Sequence, residues 1–205
     1  EFGDVPLEIR PLDRGEGVRF EDTIAGGVIP RQFIPAVEEG VRDAMRSGPL
    51  GGFPVVDVAV TLTDGQYHSV DSSEVAFRKA GHMAMRDAMA KAEPVLLEPV
   101  AHVQVMVPND YTSKVQRVLA QRRGQILGFA PRPGWETWDL ATAYMPQAEM
   151  QDLIIELRSL SMGVGYYTWR YDHMQVVSGK EADRILTEHA ARGGNNHGNH
   201  GNHGG

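Results

Sequence analysis

His68, Ser69, Asp71, Ser72 and Ser73 stand close together in the chain. Histidine, serine and aspartate are the residue types of a hydrolytic triad. Triad partners converge from separate segments, however, and no Gly-x-Ser-x-Gly elbow surrounds these serines. A helix cap is the commoner explanation: Asp71 and Glu74 have capping-box spacing and would satisfy the first free amides. His68 has no capping duty, and its ring at a loop tip leaves ligand contact and plain exposure equally open. In the tail, His197, His200 and His203 repeat with Gly and Asn, a spacing that gathers a transition metal weakly through imidazole nitrogens. A solubilising tail is the commoner reading there, and His82 and His102 read as structural. Arg122-Arg123 lies between a helix and a strand, where it could touch phosphate, although a helix end meeting its own dipole is commoner. Tyr166, Tyr167, Trp169 and Tyr171 resemble an RNA-stacking surface, but an alternating aromatic strand more often packs a helix. No Gly-x-x-x-x-Gly-Lys-Ser/Thr phosphate loop occurs, and Gly179-Lys180 lacks the upstream glycine and the following hydroxyl.

The elements that must position these residues come from a 205-residue chain with 41% hydrophobic residues, enough for a real core. No cysteine is present, which excludes disulfides, thiol nucleophiles and Cys-ligated zinc. Net charge is −7, which argues against a global polyelectrolyte match to nucleic acid and leaves only local contact. All of that excess lies in the first half: residues 1–98 hold 17 acidic and 10 basic residues, residues 99–205 hold 10 of each. The change falls beside Pro94 and Pro99, which marks a domain boundary. No apolar run approaches the roughly 20 residues of a membrane span, and no signal peptide opens the chain, so a cytoplasmic protein is expected.

In the first half, Val5–Arg10 and Val18–Ile24 alternate as strands and are expected to pair as an antiparallel hairpin about the Asp13–Gly17 turn. A helix follows, with Ile34, Val37, Val41, Ala44 and Met45 on one face. Val55–Leu62 is the next strand, and a long helix runs from about Asp71 to Ala92. If each helix returns antiparallel to its strand, the loops at Gly26-Gly27 and His68 form one tip, with helix N-termini offering amides to anions. In the second half, strands 103–107, 124–129, 138–144 and 166–171 alternate with helices 111–122 and 148–160. The order βαββαβ specifies a ferredoxin-like sandwich. A short helix follows Ser178, and the Gly/Asn/His segment 193–205 cannot bury a core and is expected to be disordered.

Long motifs carry a family resemblance. Ile24–Val37 (IAGGVIPRQFIPAV), Gly48–Val58 (GPLGGFPVVDV), Asp64–Glu74 (DGQYHSVDSSE), Pro94–Pro99, Arg122–Gly128 (RRGQILG) and Glu156–Ser159 each resemble segments of bacterial elongation factor G. The likeness runs from Phe2 to Val177. It implies an α+β protein of two domains. Residues 1–98 would be domain IV, with a ribosomal protein S5 domain 2-like fold and a left-handed βαβ crossover, and without that domain's opening strand. Residues 99–177 would be the ferredoxin-like domain V, and helix 178–192 would pack back on domain IV.

The resemblance further implies a part of a translational GTPase that promotes translocation of tRNA and mRNA. The chain itself would be no enzyme and bind no cofactor; GTP and Mg would belong to an N-terminal domain outside it. The tip residues Gly26, Gly27, Gln66, Tyr67, His68, Ser69 and Asp71 would meet the tRNA–mRNA complex at the A site. Arg122, Arg123 and Arg158 would contact the large subunit, near rRNA and the stalk base. No membrane is implied, and a monomer is expected. Three departures stand out: Ser69 replaces a common acidic residue, Gln151–Ile155 replaces Phe-Gly-Tyr-Ala-Thr, and the tail is atypical. They favour a paralogue for recycling or ribosome protection as the alternative. A metal-binding regulatory protein reusing the scaffold, with its tail as the active feature, is the reading from another class.

Overall fold

The computed structural model describes residues 5–26, 28–65 and 73–196, with side chains as far as residue 193. It divides into two compact units, Glu1–Leu96 with Ser178–Gly205, and Leu97–Val177.

The first unit contains strands β1 (Leu7–Pro11), β2 (Val18–Asp22) and β3 (Val58–Leu62), with helices α1 (Ile34–Arg46) and α2 (Glu74–Lys91). The sheet order is β1-β3-β2. The expected β1–β2 hairpin is therefore corrected: β3 lies between them, antiparallel to β1 and parallel to β2. The physical reason is visible in side-chain burial. In β3, Ala59, Val60 and Leu62 are buried, on both sides of the strand, as suits a central position, whereas β1 and β2 alternate half-buried with exposed residues.

Along β1, β2 and β3 the residues Leu7, Ile9, Val18, Phe20, Val58, Val60 and Leu62 join one core with Val37, Val41 and Met45 of α1 and Phe77, Met85 and Met89 of α2. The two helices approach so closely that a Cβ on Gly40 would overlap the Arg78 carbonyl oxygen, and one on Gly81 would lie 2.6 Å from that of Val37. Phe33 stacks on Phe77 with centroids 5.0 Å apart, tying the entry of α1 to α2. The cap of α2 is Ser73, whose hydroxyl accepts from the Ala76 amide at 3.1 Å. That replaces the Asp71–Glu74 box, whose first member lies outside the described residues.

Helix α5 (Gly179–Asn196) belongs to this unit and runs past the expected end at 192 into the Gly/Asn/His segment. His189 stacks on Phe53 at 4.1 Å, and Leu186 sits where a Cβ on Gly51 would meet it. The tail beyond Asn196 lies outside the described residues.

The second unit runs β4 (Leu96–Pro108), α3 (Thr112–Gln121), β5 (Gln125–Arg132), β6 (Trp135–Pro146), α4 (Leu153–Leu160) and β7 (Tyr166–Val177). The sheet order β5-β6-β4-β7 completes the ferredoxin-like sandwich. Ala101, Val103, Val105 and Val107 of β4 and Ala141, Ala143 and Met145 of β6 pack against Val115, Leu119, Leu153 and Leu157 of the helices. Strands β4 and β7 are longer than their apolar runs suggest, because ladder bonds continue through His102, Gln104 and the polar half of β7. Helix α4 starts later than expected: Asp152 adopts a left-handed backbone, φ 61°, and interrupts the helical run. Of the four aromatic residues of β7, Tyr167 joins the core, while Trp169 and Tyr171 are each 52% exposed.

Candidate functional site

Parallel pairing of β2 with β3 decides where the loops go. Val18 faces Val58 and Asp22 faces Leu62, so both strands end at the same edge of the sheet. The segments 23–33 and 63–73, which lead into α1 and α2, leave from that edge together. Their roots are tied by the Thr23 amide donating to the Leu62 carbonyl (3.0 Å) and the Thr63 amide donating to the Pro6 carbonyl (3.3 Å). The sequence-derived tip therefore has a structural base.

In its first loop, Ile29 is fully buried and anchors the return, while Val28 is exposed. Gly26 is exposed with φ +69°, a conformation that favours glycine, and a Cβ there would meet nothing. Asp22 extends the inward row of Val18 and Phe20 beyond the core, where Arg31 pairs with it at 3.2 Å. In the second loop, the Asp64 carboxylate accepts from the Gly65 amide at 2.8 Å. Gly27, Gln66, Tyr67, His68, Ser69 and Asp71 lie outside the described residues, so the structure supplies the two stems of this tip and not its apex.

The opposite edge of the same sheet is locked. Asp57, 6% exposed and left-handed at φ 59°, accepts through Oδ1 from the amides of Gly15 (3.1 Å) and Gly17 (3.0 Å). Arg14 reaches its other oxygen at 3.4 Å. Burial pushes the Asp57 carboxyl up, but the Gly17 and Gly15 amides and Arg14 together outweigh it and hold the group below its ordinary value. This clamp, invisible in the apolar pattern, fixes the connection between β1 and β2 across the start of β3.

The three arginines of the second unit differ sharply. Arg122 donates from Nη1 to the carbonyls of Glu149 (2.6 Å) and Gln151 (2.7 Å) and from Nε to Glu156 (3.3 Å). Arg123 grips Glu98 with two nitrogens, at 2.7 and 3.1 Å, and Glu149 with Nε at 3.1 Å. The hydrogen bond to Glu98 raises the Arg123 guanidinium above its ordinary value, against the opposing effect of burial. Neither side chain is a solvated helix end; both rivet the α3–β5 corner to β4 and to the approach of α4. Arg158 is exposed and makes no ion pair with a described residue. Nothing in the residue pattern pointed to Glu98 and Glu149 as partners, since both are distant along the chain.

Among the described residues no group of three or more His, Asp or Glu is placed to hold a metal, and His197, His200 and His203 lie outside them. His82 meets Asp43 at 3.1 Å, and His102 packs edge-on to Tyr144. No helix among the described residues is long and apolar enough to cross a membrane.

An S5-like unit presenting paired loops, joined to a ferredoxin-like unit, is the architecture of a translation factor's C-terminal domains. The family model for elongation factor G, domain IV, matches residues 1–93, and that for the elongation factor G C-terminus matches residues 95–185. The chain belongs to the elongation factor G family. An elongation factor G-like protein of Synechocystis is 55% identical over 184 residues, 90% of this chain and 27% of that protein. Elongation factor G of Aquifex pyrophilus is 46% identical over 93% of this chain and 27% of its own length. A Thermus thermophilus protein of known crystal structure superposes with a TM-score of 0.80 at 37% identity, over 91% of this chain and 27% of its own. The chain thus spans about a quarter of the length of these relatives.

Proposed function

We propose that this chain is the ribosome-engaging part of a cytoplasmic translational GTPase that promotes movement of tRNA and mRNA. The observation that carries the reading is the parallel β2–β3 pair, which sends two helix-leading loops from one edge. Loops leaving together from one edge would let a small part of the surface meet RNA although the chain as a whole is acidic. In this reading His68, with Gly26, Gly27, Gln66, Tyr67, Ser69 and Asp71, meets the tRNA–mRNA complex in the decoding region. Arg158 touches the large subunit near the stalk base, with Arg122 and Arg123 shaping the surface behind it. GTP and Mg bind a domain outside this chain, and the protein works as a monomer. The domain acts as a wedge and pawl and makes or breaks no bond.

Single-turnover translocation by the full-length protein with GTP tests this. His68→Ala is expected to slow movement about tenfold, roughly 1.4 kcal/mol of barrier, with the far-UV circular dichroism unchanged. Unchanged translocation by His68→Ala, or an unfolded variant, counts against the tip assignment. The higher identity to an elongation factor G-like protein than to an elongation factor G, 55% against 46%, supports a specialised paralogue as the second reading. GTP-dependent ribosome binding without movement by one codon would select that reading, and subunit-splitting or protection assays would follow.

A further inference from the structure

Arg132, the last residue of β5, and Trp135, the first of β6, are register partners across the Pro133-Gly134 turn. The Arg132 guanidinium lies 4.1 Å from the centre of the Trp135 ring and 5.5 Å from that of Tyr166. Trp138 meets Trp135 edge-on at 5.2 Å and lies tilted against Tyr166 at 6.3 Å. Two rings, one from β6 and one from β7, therefore flank one cation, and Trp138 touches both of them. The Nη1 of Arg132 is buried and has no hydrogen-bond partner, and no carboxylate among the described residues pairs with it. In the same unit Arg122 and Arg123 end on carbonyls and carboxylates. The positive charge of Arg132 is held by ring faces alone, and Trp135 is 45% exposed above it.

We propose that this cluster is a stacking seat for an unpaired RNA nucleotide, with the base on the exposed surface of Trp135 and the phosphate in the field of Arg132. The chemistry selects this ligand in two ways. An exposed indole offers a flat surface that any base can stack on, and such stacking contributes independently of base identity. The guanidinium beside it, which no carboxylate among the described residues neutralises, adds attraction for the phosphate that every stacked nucleotide carries. The choice of RNA as the polymer rests on the ribosomal reading above; the aromatic–guanidinium geometry does not.

The test is fluorescence anisotropy of a short 5′-labelled oligoadenylate with the 205-residue chain at low salt. Trp135→Ala is expected to weaken binding about 5- to 100-fold, and Trp135→Phe to remain within about threefold of the original. Arg132→Gln should weaken binding and reduce the slope of log affinity against log salt by about 0.7. Arg117→Gln, an exposed arginine on α3, controls for unspecific charge. Far-UV circular dichroism establishes that each variant is folded, and Trp135→Phe keeps the test decisive if Trp135→Ala is not. No binding by the original chain, unchanged binding by Trp135→Ala, or equal losses in Trp135→Ala and Arg117→Gln would overturn the proposal. So would Trp135-dependent capture of oligoglutamate in place of RNA, which would assign the seat to an acidic protein. Trp135-dependent RNA binding in a protein whose full-length form neither binds ribosomes nor translocates sinks the ribosomal reading alone. Translocation with Trp135-independent RNA binding sinks this seat alone.

Discussion

The two units place two helices on one face of a sheet and secure them by opposite means. In the first, α1 and α2 touch backbone to backbone at Gly40 and Gly81, a contact of shape flanked by the Glu39–Arg78 pair and the Asp43–His82 contact. In the second, the α3–β5 corner is secured by Arg122 and Arg123 reaching across to Glu98, Glu149 and Glu156. Close packing tolerates no added atom, whereas a charge network tolerates added volume and fails when one partner is removed. The helix pair of the first unit thus depends mainly on steric fit, and the α3–β5 corner of the second on charge.

All three tryptophans, Trp135, Trp138 and Trp169, belong to the second unit. Tryptophan emission therefore follows that unit, while far-UV circular dichroism follows both. Gly40→Leu should cost about 4 kcal/mol or more and unfold the first unit, removing much of the dichroism while tryptophan emission stays native. Loss of both signals together would mean that the units do not fail separately. Arg123→Ala should have the converse effect, lowering the tryptophan-detected transition by about 3 kcal/mol because Glu98 is left buried and charged. Adding Glu98→Gln should restore part of that loss; no restoration would show the network to be less important than the packing around it.

Asp57→Asn keeps the oxygen that accepts from Gly15 and Gly17 but removes the charge, at a cost of about 1 kcal/mol at pH 7. Because the folded-state value of Asp57 lies below 3.8, its contribution is complete above the unfolded value and is lost as pH falls through the folded one. The gap in Tm between wild type and Asp57→Asn should therefore close below about pH 4. A gap that does not narrow at all as pH falls below about 4 would assign the effect to shape and not to charge. The smallest effect is a gain: Asp152→Gly should stabilise the second unit by about 0.5 kcal/mol, since Asp152 is left-handed and its side chain makes no cap bond.

What the sequence disclosed was local order. The spacing of Val37, Val41 and Ala44 located α1, and the alternation of strands and helices after residue 99 specified the ferredoxin-like sandwich. Alternation marks a strand without naming its neighbour, which is why β1 and β2 read as a hairpin. The nearly unbroken apolar run Val55–Leu62 already carried the signal of a central strand. That the two strand–helix connections leave from one end was legible, because each helix was expected to return antiparallel to its strand. The Asp57 clamp and the Glu98–Arg123 pair were not, because each joins residues far apart in sequence. Asp152 stands where the family's usual run carries glycine, so its backbone strain was hinted at only by that departure.

The first unit is also discontinuous: its chain leaves at Leu96 and returns at Ser178. During synthesis the whole of Leu97–Val177 must emerge before α5 exists. β4 and β7, which carry the chain into and out of that insert, are neighbours in its sheet. The insert can therefore close on itself as soon as β7 appears. Phe53 is without its stacking partner until His189 is made. Order of birth and order along the chain thus run against each other: the later unit is finished first, and the earlier one is sealed last.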